Sequence, residues 1–360
     1  MLQVLNYTGA GNDRGGVMSV VHALASAGRF ECHLGVGPGF NQRRSPPLNC
    51  VVFPAMPHES INPVTLVKGL AIAKQARAWL RADPKRIFHG RSRAGLIAVL
   101  WLRLLGEKRI VSTVHSLGRR TWFYRMASAI LGTRLIWLGP SMKRHYGIPD
   151  RSWSGCIPDC VPLSAWTSRR PAFKEGGRFR VGCAGSIVEV KQWELVLEAL
   201  ALISAPVSVT VIFAGDTDGT QASIEYGERL KALAARLGVA GQVTWLGEVG
   251  DMREFYESVD CLVSASRWEA SSMAALEAAC AGLPLVASDA SGTRDLIELA
   301  RLGRLFKAGD TASLAAELTE LATCGEGFGA ERDEAALLGF AAPAIADRHF
   351  ALYQRLIQGD

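Results

Sequence analysis

The run from Cys261 to Asp289 constrains this chain more than any other segment. Residues 261–265 are apolar or small and predict a strand. Ser271 and Ser272 suit a helix N-cap. Residues 273–281 are mostly Ala, Leu, Glu and Cys, which predicts a helix. Gly282 and Pro284 stop it, and residues 283–287 resume as a strand. A strand–loop–helix–strand unit of this kind packs into a parallel sheet. Glu269 falls on the loop and Glu277 in the helix, eight positions apart. The free N–H groups and the dipole of the helix start favour a phosphate, and carboxylates accept hydrogen bonds from sugar and ribose hydroxyls. The plain alternative is a pair of solvated glutamates. Glu277 argues against it, because it stands amid Leu276, Ala278, Ala279 and Cys280, where a charge needs a reason.

The same alternation runs through all 360 residues, a length that suggests two domains. In the first half, strands are predicted over 2–7, 31–36, 50–53, 87–89, 110–113, 135–138 and 154–157. Helices are predicted there over 16–27, 64–81, 94–105, 120–131 and 141–146. The second half gives strands over 179–184, 207–214, 243–246, 261–264, 283–287 and 303–306. Its helices cover 191–203, 223–237, 251–258, 273–281, 293–299 and 311–321, with a last amphipathic helix over 343–358. Residues 160–178 are rich in Pro, Ser, Gly and charge, and read as a linker. The expected fold is α/β, with two Rossmann-like doubly wound domains. They cover 1–165 and 166–342, followed by a terminal helix over 343–360.

Apolar content of 49% with 21% charged residues excludes a disordered chain. The eight cysteines are scattered, and Cys156-x3-Cys160 is an isolated pair without zinc-type spacing. A reducing, cytoplasmic compartment fits this usage. The N-terminus begins as an apolar strand, with no basic stretch leading into an apolar one, so a signal peptide is not expected. The most apolar stretch, 94–105, carries Arg103 and is too short to span a bilayer. Charge is uneven. Residues 1–165 hold 22 Lys and Arg against 7 Asp and Glu, a net +15, whereas residues 166–360 hold 18 against 27, a net −9. The first half is therefore expected to meet something anionic: a membrane surface, a lipid-linked phosphate or nucleic acid. Gly118 to Met126 interleaves Arg119, Arg120 and Arg125 with Trp122, Phe123 and Tyr124, which suits a membrane interface. No nucleic-acid module accompanies it, so no nucleic-acid partner is expected.

Glu269-x7-Glu277, followed by 278–288 and Ser291-Gly292, resembles the signature of retaining glycosyltransferases of family 4, which have the GT-B fold. In that fold the two domains face across a cleft and the last helix packs back on the first. The resemblance implies that Glu269 contacts the donor sugar, that Glu277 binds the nucleotide ribose, and that the amides of Ser271, Ser272 and Met273 contact sugar and diphosphate. Ser271-Ser272 stands where Phe-Gly is more usual. Gly15-Gly16 matches the family's glycine-rich first loop. The segment Thr8 to Val17 is not G-x-G-x-x-G, since Arg14 occupies the third glycine position, so NAD is not expected. Val114-His115-Ser116 resembles the Thr-x-His segment, whose histidine reaches the donor sugar. Gly185-Ser186-x4-Lys191 resembles the Gly-Arg-x4-Lys element that neutralises the diphosphate. Lys191 is kept, but Ser186 replaces the arginine. Arg14, Arg267 and Arg294 are the candidates to replace the lost cation. Glu248 and Val249 lie where the family docks the base. Asp216-x-Asp218 is the metal motif of a different glycosyltransferase fold; without a supporting carboxylate cluster no metal is expected.

The resemblance implies a metal-independent, retaining hexosyltransferase, expected in the cytoplasm or at the inner membrane face. Glu269 and His115 are its candidate catalytic residues. No cofactor is expected beyond the substrate, a UDP-, GDP- or ADP-sugar. The acceptor expected is a glycan or a lipid-linked glycan of polysaccharide biosynthesis. Two competitors stand beside it: an epimerase or hydrolase acting on the nucleotide sugar, and a silent sugar-nucleotide-binding subunit, which Ser186 favours.

Overall fold

The computed structural model describes residues 1–9, 15–54, 61–118, 120–150, 152–162, 178–324 and 333–359. The chain forms two compact units. Unit 1 comprises Met1–Pro162 with Gly339–Asp360, and unit 2 comprises Leu163–Leu338.

Unit 1 is built on β1 (Gln3–Tyr7), β2 (Glu31–Val36), β3 (Asn49–Val52), β4 (Arg86–Gly90), β5 (Ile110–Thr113) and β6 (Leu135–Ile136). They pair in the order β3-β2-β1-β4-β5-β6, all parallel. The inner strands are apolar on both faces: Val4, Leu5, Ile87, Phe88, Ile110 and Val111 are all fully buried. The order reverses between β1 and β4, and ligands collect outside the carboxyl ends at such a switch point. There the backbone is crowded. A Cβ on Gly90 would sit 2.6 Å from the carbonyl carbon of Gly95, in the first turn of helix Arg93–Leu104. Only glycine lets strand and helix approach this closely.

Unit 2 repeats the plan with β7 (Phe179–Ala184), β8 (Val209–Ala214), β9 (Val243–Trp245), β10 (Cys261–Ser264), β11 (Leu285–Ser288) and β12 (Gly303–Phe306). Their order, β12-β11-β10-β7-β8-β9, is the same winding with its switch point between β7 and β10. Its core joins Val181, Val211, Phe213 and Val263 of the sheet to Trp193, Leu197 and Leu314 of the helices.

The terminal helix Ala342–Gln358 belongs to unit 1, where it packs on helix Gly16–Ser26. Val161 pairs with the returning chain, donating to Phe340 and accepting from Ala342. Two departures from the sequence reading are local. Residues 154–157 are not a strand but make a single bridge, Cys156 to Trp137. A short helix, Glu334–Leu338, was not foreseen.

Candidate functional site

The carboxyl edge of unit 2 is assembled from glycine turns. Gly215 follows β8, and a Cβ there would lie 2.1 Å from the carbonyl oxygen of Gly185, which follows β7. Both have φ near +140°, a conformation other residues rarely adopt. The N–H of Gly215 donates to Gly247 at 2.7 Å, and that of Gly185 to Ala214 at 2.9 Å. Three loops are thus stitched together by backbone alone. The open space over Gly185 is crossed by the Lys191 side chain, whose Cε lies 3.1 Å from where a Cβ would be.

That path delivers Lys191 to Glu269. Nζ meets Oε1 at 2.7 Å, and the two side chains are 18% and 14% exposed. Oε2 of Glu269 accepts from the hydroxyls of Ser266 at 2.6 Å and Ser264 at 3.4 Å. The loop is fixed from two more sides. Arg267 N–H donates to Val190, and Gly292 N–H donates to the Glu269 carbonyl at 2.8 Å. A Cβ on Gly292 would collide with the Ala270 carbonyl at 2.0 Å, which explains the glycine of Ser291-Gly292. Lys191 and Glu269, expected on diphosphate and sugar, therefore stand together as one ion pair.

Glu277 is half-buried on helix Met273–Cys280. Its Oε2 accepts from the Tyr256 hydroxyl at 2.8 Å. Burial, then the neighbouring Glu277 charge, raise the Tyr256 phenol well above its usual value, so it stays protonated and donates. Ser272 is the N-cap, its Oγ accepting from Ala275 N–H at 3.3 Å. Its hydroxyl is spent on the helix, and what remains for a ligand is the amide row of Ser271, Ser272 and Met273.

The remaining candidates are more peripheral. Ser186 is exposed, and its carbonyl accepts from the Trp193 indole at 3.3 Å. Arg294 pairs along its own helix with Glu298 at 2.6 Å. Arg267 is exposed and lines a cavity of about 550 Å³ with Glu189, Glu194, Glu198 and Arg229. Neither Glu269 nor Glu277 lines that cavity, so its volume does not mark the carboxylate pair. Glu248 is exposed and Val249 half-buried, on the loop after β9. Asp218 is a turn residue: its carboxylate accepts from Thr220 N–H and hydroxyl, which lowers its pKa. Among the described residues no group of three or more His, Cys, Asp and Glu could hold a metal.

In unit 1, Gly15 has φ +94° and precedes helix Gly16–Ser26 as its N-cap; Arg14 lies outside the described residues. His115 stands just past β5, at the carboxyl edge. Its Nδ1 is 3.4 Å from Asp159 Oδ1, with both side chains under a tenth exposed. Its Nε2 is buried without a hydrogen-bond partner among the described residues. An imidazole held at one nitrogen and open at the other is oriented for a ligand. The loop is held by Tyr146, whose hydroxyl donates to the Ser116 carbonyl at 2.6 Å and accepts from Gly118 N–H at 2.7 Å. Asp159, Tyr256 and Ser266 escaped the sequence reading. Only Ser266 had a local signal, three residues before Glu269. At the β1–β4 switch point, Arg91 is 1% exposed and donates through Nε to Asn6 at 2.7 Å.

Two Rossmann-like units, each a six-stranded parallel sheet flanked by helices, define the GT-B fold. Residues 178–324, which lie in unit 2, match the sequence model described as "Glycosyl transferases group 1". The chain is 24% identical over 284 residues to the lipopolysaccharide core biosynthesis mannosyltransferase LpsB of Rhizobium meliloti (strain 1021). That match covers 73% of this chain and 79% of LpsB. Among solved structures, sucrose-phosphate synthase from Thermosynechococcus elongatus superposes with a TM-score of 0.79 at 20% identity, covering both chains completely. HepE of Anabaena, solved with UDP-glucose, gives 0.70 at 17% identity, covering 99% of this chain and 98% of HepE.

Proposed function

We propose that the protein is a retaining, metal-independent glycosyltransferase of family 4 that moves a hexosyl group from a nucleotide-diphosphate sugar to an acceptor hydroxyl. The observation that carries this reading is the carboxylate pair at one helix start. Glu269 is held by Lys191 and Ser266, and Glu277 by Tyr256, on either side of the amides of Ser271, Ser272 and Met273. Glu277 binds the ribose hydroxyls, and the region of Glu248 and Val249 faces the base. Lys191 and the helix-start amides take the diphosphate, with Gly15, Gly16 and Ser186 as further contacts. Arg267 and Arg294 serve as reserve cations only by leaving their present positions; Arg14 is the third such candidate. Glu269 and His115 orient the sugar, and Asp159 positions His115.

The step is a front-face displacement. The bond from the anomeric carbon to the diphosphate oxygen breaks as the acceptor oxygen bonds to the same carbon on the same face. The acceptor proton passes to the departing diphosphate, so configuration is retained. Electrostatic stabilisation of that leaving group is the largest task of the site. The acceptor is a lipid-linked or cell-envelope glycan, met by unit 1 at an anionic membrane surface on the cytoplasmic side. The name of LpsB supports a lipopolysaccharide core acceptor and a mannosyl donor, and the HepE complex supports a UDP-sugar site in this fold. Thermal shifts with UDP-, GDP- and ADP-sugars, followed by product analysis with and without lipid-linked acceptor, test the reading. Stabilisation by one nucleotide sugar and an acceptor-dependent product with the donor's anomeric configuration are expected. Acceptor-independent epimerisation or hydrolysis would replace it.

One observation favours a second reading. Lys191 is already neutralised by Glu269, and Ser186 brings no charge. A sugar-nucleotide-binding subunit without transfer is consistent with that. Calorimetric binding with no transfer across an acceptor panel would establish it.

A further inference from the structure

The cavity of about 550 Å³ in unit 2, which the carboxylate pair leaves unused, is walled by the neighbouring helices Trp193–Leu202 and Gln221–Arg236. Glu194 and Glu198, at i and i+4, line it from the first helix. Arg229 and Arg236, at i and i+7, line it from the second. Glu189 and Arg267 bring the charges to three of each sign. Opposite charges that share one cavity are expected to pair across it. Among the described residues only Arg229 does so, with Glu189, and both side chains are exposed. Glu194 accepts instead from the Tyr226 hydroxyl, and Glu198 from Thr311 Oγ1 at 2.9 Å. Burial, then the Glu194 carboxylate, raise the Tyr226 phenol above its usual value, so it stays protonated and donates. The guanidinium groups of Arg236 and Arg267 meet no acceptor among the described residues.

We propose that this cavity is a second carbohydrate site, which holds a short neutral saccharide. The balance of charge selects the occupant. A phosphate would meet three carboxylates there, and a polyamine three guanidinium groups. Sugar hydroxyls suit both walls, donating to Glu194 and Glu198 while accepting from Arg236 and Arg267. Half-buried Leu233 offers an apolar strip to the C–H face of a ring. The volume lies within the roughly 300–1,000 Å³ of ligand pockets, room for about two or three rings. From Tyr226 to Arg236 the wall runs about 15 Å along its helix, longer than a single ring. The cavity is separate from the carboxylate pair but borders the same loops. Glu189 shares a turn with Lys191, and Arg267, whose N–H donates to the Val190 carbonyl at 2.9 Å, stands two residues before Glu269. The inference needs none of the donor chemistry proposed above.

Saturation-transfer NMR of the full chain with maltotriose, α-mannotriose and N-acetylchitotriose, in the absence of nucleotide, tests it. Transfer to one or more of them at millimolar concentration is expected, and it should persist when UDP, GDP or ADP is added. Arg236→Met and Glu198→Gln should each lower the affinity about tenfold or more, the weight of a hydrogen bond to a charged group. Arg236 is exposed at the end of its helix, so its variant reads binding even where Glu198→Gln disturbs the fold. Glu277→Ala should leave the affinity unchanged, which separates this site from the one proposed for the nucleotide. Transfer to none of the three saccharides would overturn the proposal, as would wild-type affinity in both cavity variants. So would displacement of the saccharide by inorganic phosphate, which would make the cavity an anion site, or loss of binding in Glu277→Ala alone.

Discussion

Glu277 and Tyr256 form the contact on which the nucleotide reading depends most. The Tyr256 phenol donates to the Glu277 carboxylate and fixes its orientation. Glu277→Ala should weaken binding of the matching nucleoside diphosphate by roughly ten- to a hundredfold, the weight of hydrogen bonds to a charged group. Tyr256→Phe keeps the charge and loses only its orientation, so about fivefold is expected. Calorimetry decides; unchanged affinity in Glu277→Ala would remove the ribose role. Glu269 behaves differently, since its partner is a cation. Lys191→Met and Glu269→Gln should each destabilise the nucleotide-free protein, and the double variant should recover part of the loss. A coupling of about 1–2 kcal/mol is expected, between the values for exposed and fully buried pairs. Additive losses in denaturant unfolding would show that the pair is not a structural unit. Glu269→Ala should also lower turnover more than nucleotide binding.

At the scale of elements, the terminal helix is fastened to β4 through histidines. His89 is fully buried, with one ring nitrogen 2.6 Å from the Tyr353 hydroxyl and the other 2.7 Å from Thr113 Oγ1. His349 stacks on it at 5.5 Å between ring centres, and Arg91 is a nearby cation. Burial, then the Arg91 charge, hold both imidazoles well below their ordinary value. Both are therefore neutral in the fold and must take up protons when it opens. With folded values depressed, stability is full above the unfolded value near pH 6.5 and falls as pH drops below it. The loss approaches about 1.4 kcal/mol per pH unit for each group until the folded value is reached. Denaturant unfolding between pH 7.5 and 5 should show this slope, and His89→Gln with His349→Gln should flatten it. An equal slope in that double variant would assign the acid sensitivity to other groups.

For the whole molecule, the winding of both sheets was legible because each strand and crossover helix is a local apolar pattern, as in residues 261–287. The partners of the site were not. Asp159 reaches His115, and Tyr256 reaches Glu277, only through tertiary packing; nothing near either residue marks it. The Lys191–Glu269 pair joins loops after different strands, and the glycine contacts that allow it, Gly185 against Gly215, are likewise non-local. The charge split, by contrast, was plain in the sequence, and seven of its Lys and Arg fall on three helices without acids. These two halves of the reading assign different partners to different units. Nucleoside diphosphate alone, without sugar, should be held by unit 2. At a hundredfold excess over its dissociation constant it should add about 2.7 kcal/mol to whichever unit binds it. Hydrogen exchange with and without UDP, GDP and ADP reads this out by peptide. Slower exchange is expected in residues 185–192 and 266–280, with no change in helix Ala342–Gln358 of unit 1. Protection confined to unit 1 would move the nucleotide to the other sheet and leave the carboxylate pair without a ligand.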